Sequence, residues 1–333
     1  MKITAADLFR QPDGCILRLS TDSGVTGIAI GTAAAAATAR RLAKSVLVGA
    51  DPRAVTGLWQ QMTRAGASRG DRSRRRAAAL LDLALWDLKA RANREPLWRT
   101  LGGARPRAHA YASCAGRFRG DDELSAWFRH MASAHGLHAG KLTVGRDDRA
   151  DQGRIARMRD ALSQASPYPE LMIDAERRWS ADQAVRRLRA MERRFDLVWV
   201  EGIARASDAR GLKRVSDSIA GAVCVGAGFA GISQFLPHLR QRSADVVQID
   251  IGAVGITAAL QIADAAYGLE LPVTLAAVAG NIHAQVAGVM PNCMSVEIVD
   301  PDPPSWLASD LRVAGGRAIA GDLPGNGLRL VTA

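Results

Sequence analysis

Three features of the 333-residue sequence predict an α/β fold, a (β/α)8-type TIM barrel preceded by an α+β capping domain. From residue 106 onward eight short apolar runs recur, most of them continuous rather than alternating, as parallel strands covered on both faces are. Helical stretches such as SADQAVRRLRAMERR and ITAALQIADAAYG separate several of these runs, which fits strand–helix units joined by right-handed crossovers. Before residue 106 the pattern is different: strand-like alternation comes first, then helix.

Residues 1–33 alternate polar and apolar, with turn signals at Asp13-Gly14 and Asp22-Ser23-Gly24, so a small antiparallel meander is expected there. Residues 34–105 read as helical. AAAAATARRLAKSVL is Ala-rich, Asp51-Pro52 can open the next helix, and RAAALLDLALWDLKARAN is amphipathic. Gly102-Gly103 closes the unit and Pro106 follows it, which sets the capping domain at 1–105. The barrel is expected over 106–315, and 316–333 as a C-terminal segment returning to the cap. Its strands are RAHAYAS (107–113), AGKLTV (139–144), ELMID (170–174), LVWVE (197–201), AVCVGA (222–227), DVVQID (245–250), LPVTLA (271–276) and MSVEIV (294–299).

Composition narrows the function classes. With 48% hydrophobic residues the chain can bury a sizeable core. No charge-free apolar run reaches the roughly 18 residues of a membrane span, and MKITAADLFR lacks the apolar stretch of a signal peptide. A cytoplasmic protein is therefore expected. Cys15, Cys114, Cys224 and Cys293 are far apart and form no CxxC, so they read as buried small hydrophobes rather than a zinc site or disulfides. The net charge is +11, but Arg supplies all except five of the 44 basic residues, aromatic content is 5%, and no basic stripe with interleaved aromatics appears. No nucleic-acid partner is expected. The run Arg69–Arg76 reads as a solvated loop and first helical turn, with attraction of anionic substrates as the alternative.

In barrels of this type the active site lies at the C-terminal ends of the strands. Here those ends carry Asp174, Glu201, Ala227, Asp250 and Glu297. Converging carboxylates suit a hard cation such as Mg²⁺. The alternative is that each acid caps the helix after it.

Several segments resemble the enolase superfamily, in its mandelate racemase/muconate lactonizing branch. They are TDSGVTGIAIG (21–31), LVGADPRAVTGLWQQM (47–62) and LDLALWDLKARANREPLWRTLGG (81–103), with PGNGLRL (324–330) similar to the family's PGLG turn. The resemblance spans nearly the whole chain. It implies removal of the proton α to a carboxylate, with Mg²⁺ on three strand-end acids stabilising the enediolate. The proton is moved by Lys of a KxK motif on the second barrel strand, or by an Asp–His pair from the sixth and seventh. It also implies a small carboxylate-bearing partner and a symmetric homo-oligomer, a dimer or an octamer.

Carried over by position, the resemblance makes Asp174 and Glu201 metal ligands and places Ala227, which cannot bind a metal, where the third belongs. Glu176, two residues past Asp174, is a candidate replacement or else a surface partner of Arg177 or Arg178. The catalytic candidates are Lys141, Asp250 and Glu297. The second Lys of KxK is Thr143, and the dyad histidine falls on Ala277, with His283 read as an ordinary helical histidine. Lys141 is either a base or an ion-pair partner of Asp174 or Glu201 that takes the cation's place. The loop that covers the substrate in the family is cut to a few residues at 11–14. These departures predict a protein weakly active or inactive in ordinary superfamily chemistry, with Mg²⁺ weakly held or absent. The alternative is a divergent Mg²⁺-dependent dehydratase or racemase acting on a hydroxy- or sugar-acid. Trp59, Trp86, Trp98 and Trp199 read as core or cap–barrel contacts. His109, Tyr111 and Ser113 share a strand face and either line the mouth or fill the core, and His135 and His138 lack metal-ligand spacing to each other.

Overall fold

The computed structural model describes residues 1–12, 14–64, 72–104, 106–115 and 120–331. Asp13 of the first turn signal, residues 69–71 of the basic run and Arg105 at the expected domain boundary lie outside the described residues.

The chain opens with the expected antiparallel meander, β1 (Ile3–Gln11), β2 (Gly14–Thr21) and β3 (Thr26–Gly31), in that order in one sheet. Helices α1 (Ala33–Leu42), α2 (Val55–Arg64), α3 (Arg72–Asn93) and the single turn α4 (Leu97–Thr100) complete the cap. The central α3 buries Leu80, Leu81, Leu83, Leu85 and Leu88, because it packs against β3 and α1 on one side and a barrel helix on the other.

Eight parallel strands then close into a barrel: β4 (Arg107–Ser113), β5 (Ala139–Thr143), β6 (Glu170–Asp174), β7 (Leu197–Glu201), β8 (Ala222–Val225), β9 (Val246–Ile249), β10 (Val273–Leu275) and β11 (Cys293–Ile298), with β11 pairing back onto β4. Between them lie α5 (Asp121–His135), α6 (Asp148–Leu162), α7 (Ala181–Glu192), α8 (Ala209–Ser216), α9 (Ile232–Gln241), α10 (Ile251–Tyr267) and α11 (His283–Ala287). The helix starts follow their sequences: Ser180 and Gln183 form a capping box on α7, and Asp147, Asp208 and Asp250 cap α6, α8 and α10.

Inside the barrel, Tyr111, Met172, Trp199, Cys224 and Val246 form a separate apolar plug below the mouth, with the Tyr111 and Trp199 rings edge to face at 5.5 Å. The remaining short strands are β12 (Leu307–Ser309), β13 (Arg312–Ala314), β14 (Arg317–Ile319) and β15 (Leu328–Leu330). β14 pairs antiparallel with the start of β4, so residues 317–319 join the barrel sheet, while Asn326 further on donates to Ile28 O in the cap. Among the described residues no helix is long and apolar enough to cross a membrane.

Cap and barrel are joined by a buried polar contact. Asp82 on α3 accepts from Thr257 N at 2.9 Å and Thr257 Oγ1 at 2.6 Å, and Trp86 Nε1 donates to the same hydroxyl at 2.9 Å. Burial pushes the Asp82 carboxyl up to about 7, against the Thr257 and Ile256 donors. A carboxyl raised above its unfolded value binds more protons in the native state, so stability falls as pH rises from the ordinary carboxylate range to about 7. Asp82→Asn keeps the shape and removes the titration. Chemical denaturation at a series of pH values should show a shallower slope across that window in the variant, and an unchanged slope would assign it elsewhere.

Candidate functional site at the barrel mouth

The ends of β5, β6, β7 and β11 bring the polar groups of the mouth together. Asp174 and Glu201 are the last residues of β6 and β7 and are direct partners in the strand register. Lys141 sits at the middle of β5 and points inward. Its Nζ lies 3.0 Å from Glu201 Oε1 and 2.8 Å from Glu297 Oε1, above the rings of Tyr111 and Trp199 at 5.6 and 5.5 Å. All three charged side chains are buried.

Each remaining carboxylate oxygen of the pair also has a partner. Gln248 Nε2 donates to Glu201 Oε2 at 2.5 Å, and Ala277 N donates to Glu297 Oε2 at 3.0 Å. Burial opposes every charge here. For Lys141 the two carboxylates overcome it and hold the ammonium well above the ordinary lysine range. For Glu297, Lys141 together with Ser113 and Ala277 N holds the carboxyl below its usual value. Glu201 is the group that yields: burial, with Asp174 and Glu297 nearby, raises it to about 8 despite Lys141.

The other sequence candidates lie in the same cleft but are engaged locally. Asp174 Oδ1 accepts from Glu176 N at 2.7 Å. Extrapolating the strand period to Glu176 does not hold, because β6 ends at Asp174 and Glu176 and Arg177 have left-handed φ of 48° and 61°. The Glu176 carboxylate pairs with Arg178 while still lining the mouth. Asp250 lies just past β9, where its side chain caps α10 through Ala253 N at 3.2 Å, and burial raises its carboxyl. Ala227 lies just past β8 in the mouth wall, and its carbonyl accepts from Arg177 Nη2 at 2.5 Å. His283 is fully buried with Nε2 2.8 Å from Glu297 O, and burial lowers it to about 4. Of the shared face of β4, Ser113 reaches the mouth, Tyr111 belongs to the plug beneath it, and His109 lies toward the opposite end.

Gln248 was not among the sequence candidates. A lone Gln within the otherwise apolar stretch VVQI (246–249) was the available signal, since an isolated polar residue on a buried strand needs a partner.

One further cavity shares Asp250 with the mouth, and a second adjoins that one through Ile30 and Ala277. The first, of about 260 Å³, has both Arg76 and Asp250 in its wall. Arg76 comes from the basic run, whose described part forms the first turns of α3. The other, of about 630 Å³, lies between Gln11, Pro12 and Ile30 of the cap and the barrel loops 277–281 and 299–311.

Comparison with known proteins gives a consistent placement. Residues 4–102 match the mandelate racemase/muconate lactonizing enzyme N-terminal domain, and residues 123–333 match the enolase C-terminal domain-like family. A 3,6-anhydro-alpha-L-galactonate cycloisomerase from Streptomyces coelicolor is 29% identical over 329 residues, covering 94% of this chain and 88% of that protein. Among solved structures, a Streptomyces coelicolor A3(2) racemase with bound magnesium superimposes with a TM-score of 0.88 at 26% identity, covering 98% of this chain and 97% of the other. An L-talarate dehydratase from Polaromonas sp. JS666, complexed with Mg and L-glucarate, gives 0.81 at 29% identity, covering 95% and 86%. The two domain matches together span the cap and the barrel that carry this mouth, and the chain belongs to the enolase superfamily, in its mandelate racemase/muconate lactonizing enzyme branch.

Proposed function

We propose that the barrel mouth binds a small hydroxy- or sugar-acid around the fixed ammonium of Lys141, and that metal-dependent removal of an α-proton is weak or absent. The observation that carries this reading is the placement of Lys141 Nζ between Glu201 and Glu297 at 3.0 and 2.8 Å. The residues present do not fit a resident Mg²⁺ held by three acids. The third position is Ala227, both Glu201 oxygens are occupied by Lys141 and Gln248, and Glu176 is turned to Arg178. No step is therefore routed through a metal.

Proton abstraction also lacks an obvious agent. An ammonium held well above the ordinary lysine range does not accept a proton at neutral pH, so Lys141 acts as a fixed positive charge. Thr143 and Ala277 carry no base. Asp250 has a raised carboxyl but spends one oxygen on its helix cap. For binding the chemistry is better supplied. Lys141 in the mouth and Arg76 in the cavity that shares Asp250 with it provide positive charge, and Ser113 and Gln248 provide hydroxyl and amide groups. The sugar-acid relatives support this ligand class.

A second reading, a divergent Mg²⁺-dependent dehydratase or cycloisomerase, is favoured by one observation. Asp174 and Glu201 close adjacent strands as direct register partners, so two carboxyl groups stand side by side at the mouth. Mg²⁺ is often held by one or two carboxylates with waters and substrate oxygens.

The deciding experiment screens aldonic and aldaric acids by calorimetry, and by proton NMR in D₂O with and without Mg²⁺. The expected result is binding of one acid, weakened by Arg76→Gln, with no Mg²⁺-dependent loss of the α-proton signal. Rapid Mg²⁺-dependent exchange or dehydration, abolished by Asp174→Ala, overturns the proposal in favour of the second reading. No binding by any acid overturns both.

A further inference from the structure

The end of the barrel opposite the mouth carries a second group of polar side chains that the chemistry above does not use. His109 on β4, His138 just before β5 and Glu170 at the start of β6 meet there. His109 Nε2 is 3.3 Å from Glu170 Oε2, and His138 Nε2 is 3.9 Å from Glu170 Oε1. Each of the three can offer one ligand atom within 4.8 Å of the others, and all are half-buried. A tetrahedral ion with bonds of about 2.0–2.1 Å to nitrogen and oxygen holds its ligand atoms about 3.3–3.4 Å apart, so only small side-chain movements separate this group from a coordination shell.

The backbone fixes the three positions. Glu170 N donates to His138 O at 3.0 Å, which sets the spacing between that loop and β6. On the far side of the His138 ring, the hairpin between β13 and β14 packs so closely that a Cβ at Gly316 would lie 3.3 Å from Nδ1 and Cε1, which limits the ring's freedom. β14 also pairs with β4 at His109 itself. The ligand set differs in kind from the mouth. Two imidazoles and one carboxylate suit zinc and its first-row neighbours, whereas Mg²⁺ prefers oxygen alone. Glu170 opens β6 and Asp174 closes it, so along the strand the two sites are about 13 Å apart at the usual rise per residue.

We propose that His109, His138 and Glu170 form a Zn²⁺ site at the N-terminal end of the barrel, clamping β4, β6 and the loop entering β5. Two neutral imidazoles and one carboxylate leave a bound divalent ion one net positive charge and room for a water as the fourth ligand. The site stabilises the barrel at the N-terminal ends of its first three strands and takes no part in chemistry at the mouth.

The test uses the full chain, freed of metal by chelation and titrated with Co²⁺ as a spectroscopic stand-in for Zn²⁺. One equivalent of Co²⁺ should develop the intense visible bands of a four-coordinate ion, and one equivalent of Zn²⁺ should displace it while excess Mg²⁺ does not. Added Zn²⁺ should also raise the thermal midpoint. His138→Ala should remove both responses, and Asp174→Ala should leave both intact. Absence of the bands, their survival in His138→Ala, or their loss in Asp174→Ala overturns the proposal. A second measurement needs no variant. Among the ring-proton signals of the six histidines, bound Co²⁺ should shift strongly those of His109 and His138 and spare His283. Shifts centred on other histidines, or none, overturn it equally.

Discussion

Replacing Lys141 by Met is expected to destabilise the protein by about 3–5 kcal/mol, the usual loss when one partner of a buried ion pair is removed. The size follows from what remains. Glu201 and Glu297 are both buried and would face each other without the ammonium that now lies 3.0 and 2.8 Å from them. Tyr111 and Trp199 beneath them offer no compensating charge. The pH dependence identifies the mechanism. In the native chain, Glu297 sits below its ordinary value, so its contribution is present above the normal carboxylate range and is lost as pH falls through the lowered folded value. In Lys141→Met both acids protonate readily, and the variant gains nothing from ionisation. The gap between the two proteins should therefore be wide at pH 7 and narrow in acid. Urea denaturation at both pH values measures it. Lys141→Met combined with Glu201→Gln should lose about as much at pH 7 as Lys141→Met alone, because Glu201, raised to about 8, is already largely protonated there and the amide keeps a partner in Gln248. A loss below about 1 kcal/mol at pH 7 would mean the ammonium behaves as a solvated surface charge, and would remove the basis for a fixed cation at the mouth.

The barrel was legible because its strands are buried on both faces. RAHAYAS, ELMID and LVWVE coincide with β4, β6 and β7, since a strand covered by helices and plug is apolar along its middle and turns polar only toward its ends. The same property blurs the ends. Ala227 and Asp250 belong to apolar runs but stand just beyond β8 and β9, where the chain has already turned toward the next helix. Periodicity also stops where the strand stops, which is why Glu176, in a left-handed conformation, turns to Arg178. The candidate acids were legible as one residue per strand end, and so was Lys141 as an ion-pair partner of Glu201, whereas its second partner Glu297 was not. That Lys141 also meets Glu297 depends on barrel closure between β11 and β4, a contact between chain positions more than 150 residues apart. The grouping of His109 and His138 with Glu170 was not legible for the same reason, as no local spacing links them.

Removing the Asp87 carboxylate should cost about as much as removing Lys141, roughly 3–5 kcal/mol in Asp87→Ala, but should act on a different part of the molecule. Asp87 is fully buried on α3 and accepts three hydrogen bonds, from three parts of the chain. Oδ2 takes Ile28 N at 2.6 Å and Arg91 Nε at 2.8 Å, and Oδ1 takes Asn326 N at 2.6 Å, while Arg91 itself reaches Leu328 O at 2.8 Å. One carboxylate thus ties β3, α3 and the PGNGLRL turn together. The turn is built for that approach: Gly325 has φ of 89°, and a Cβ there would fall 2.3 Å from Asp87 Oδ1. Truncation leaves two buried backbone N–H groups and a half-buried guanidinium without their acceptor, and each orphaned donor costs about 1–3 kcal/mol. Asp87→Asn retains the volume and one acceptor oxygen but turns an amide N–H toward a donor, so it should fall between wild type and Asp87→Ala. The signature is spatial as well as energetic. Hydrogen exchange should accelerate at 26–31 and 324–330 in Asp87→Ala while the β5–β7 strands stay protected, because the plug and the Lys141 pair do not depend on this contact. Uniform acceleration throughout the chain would instead mean that cap and barrel unfold as one unit, and that the C-terminal turn holds the whole molecule rather than its own docking site.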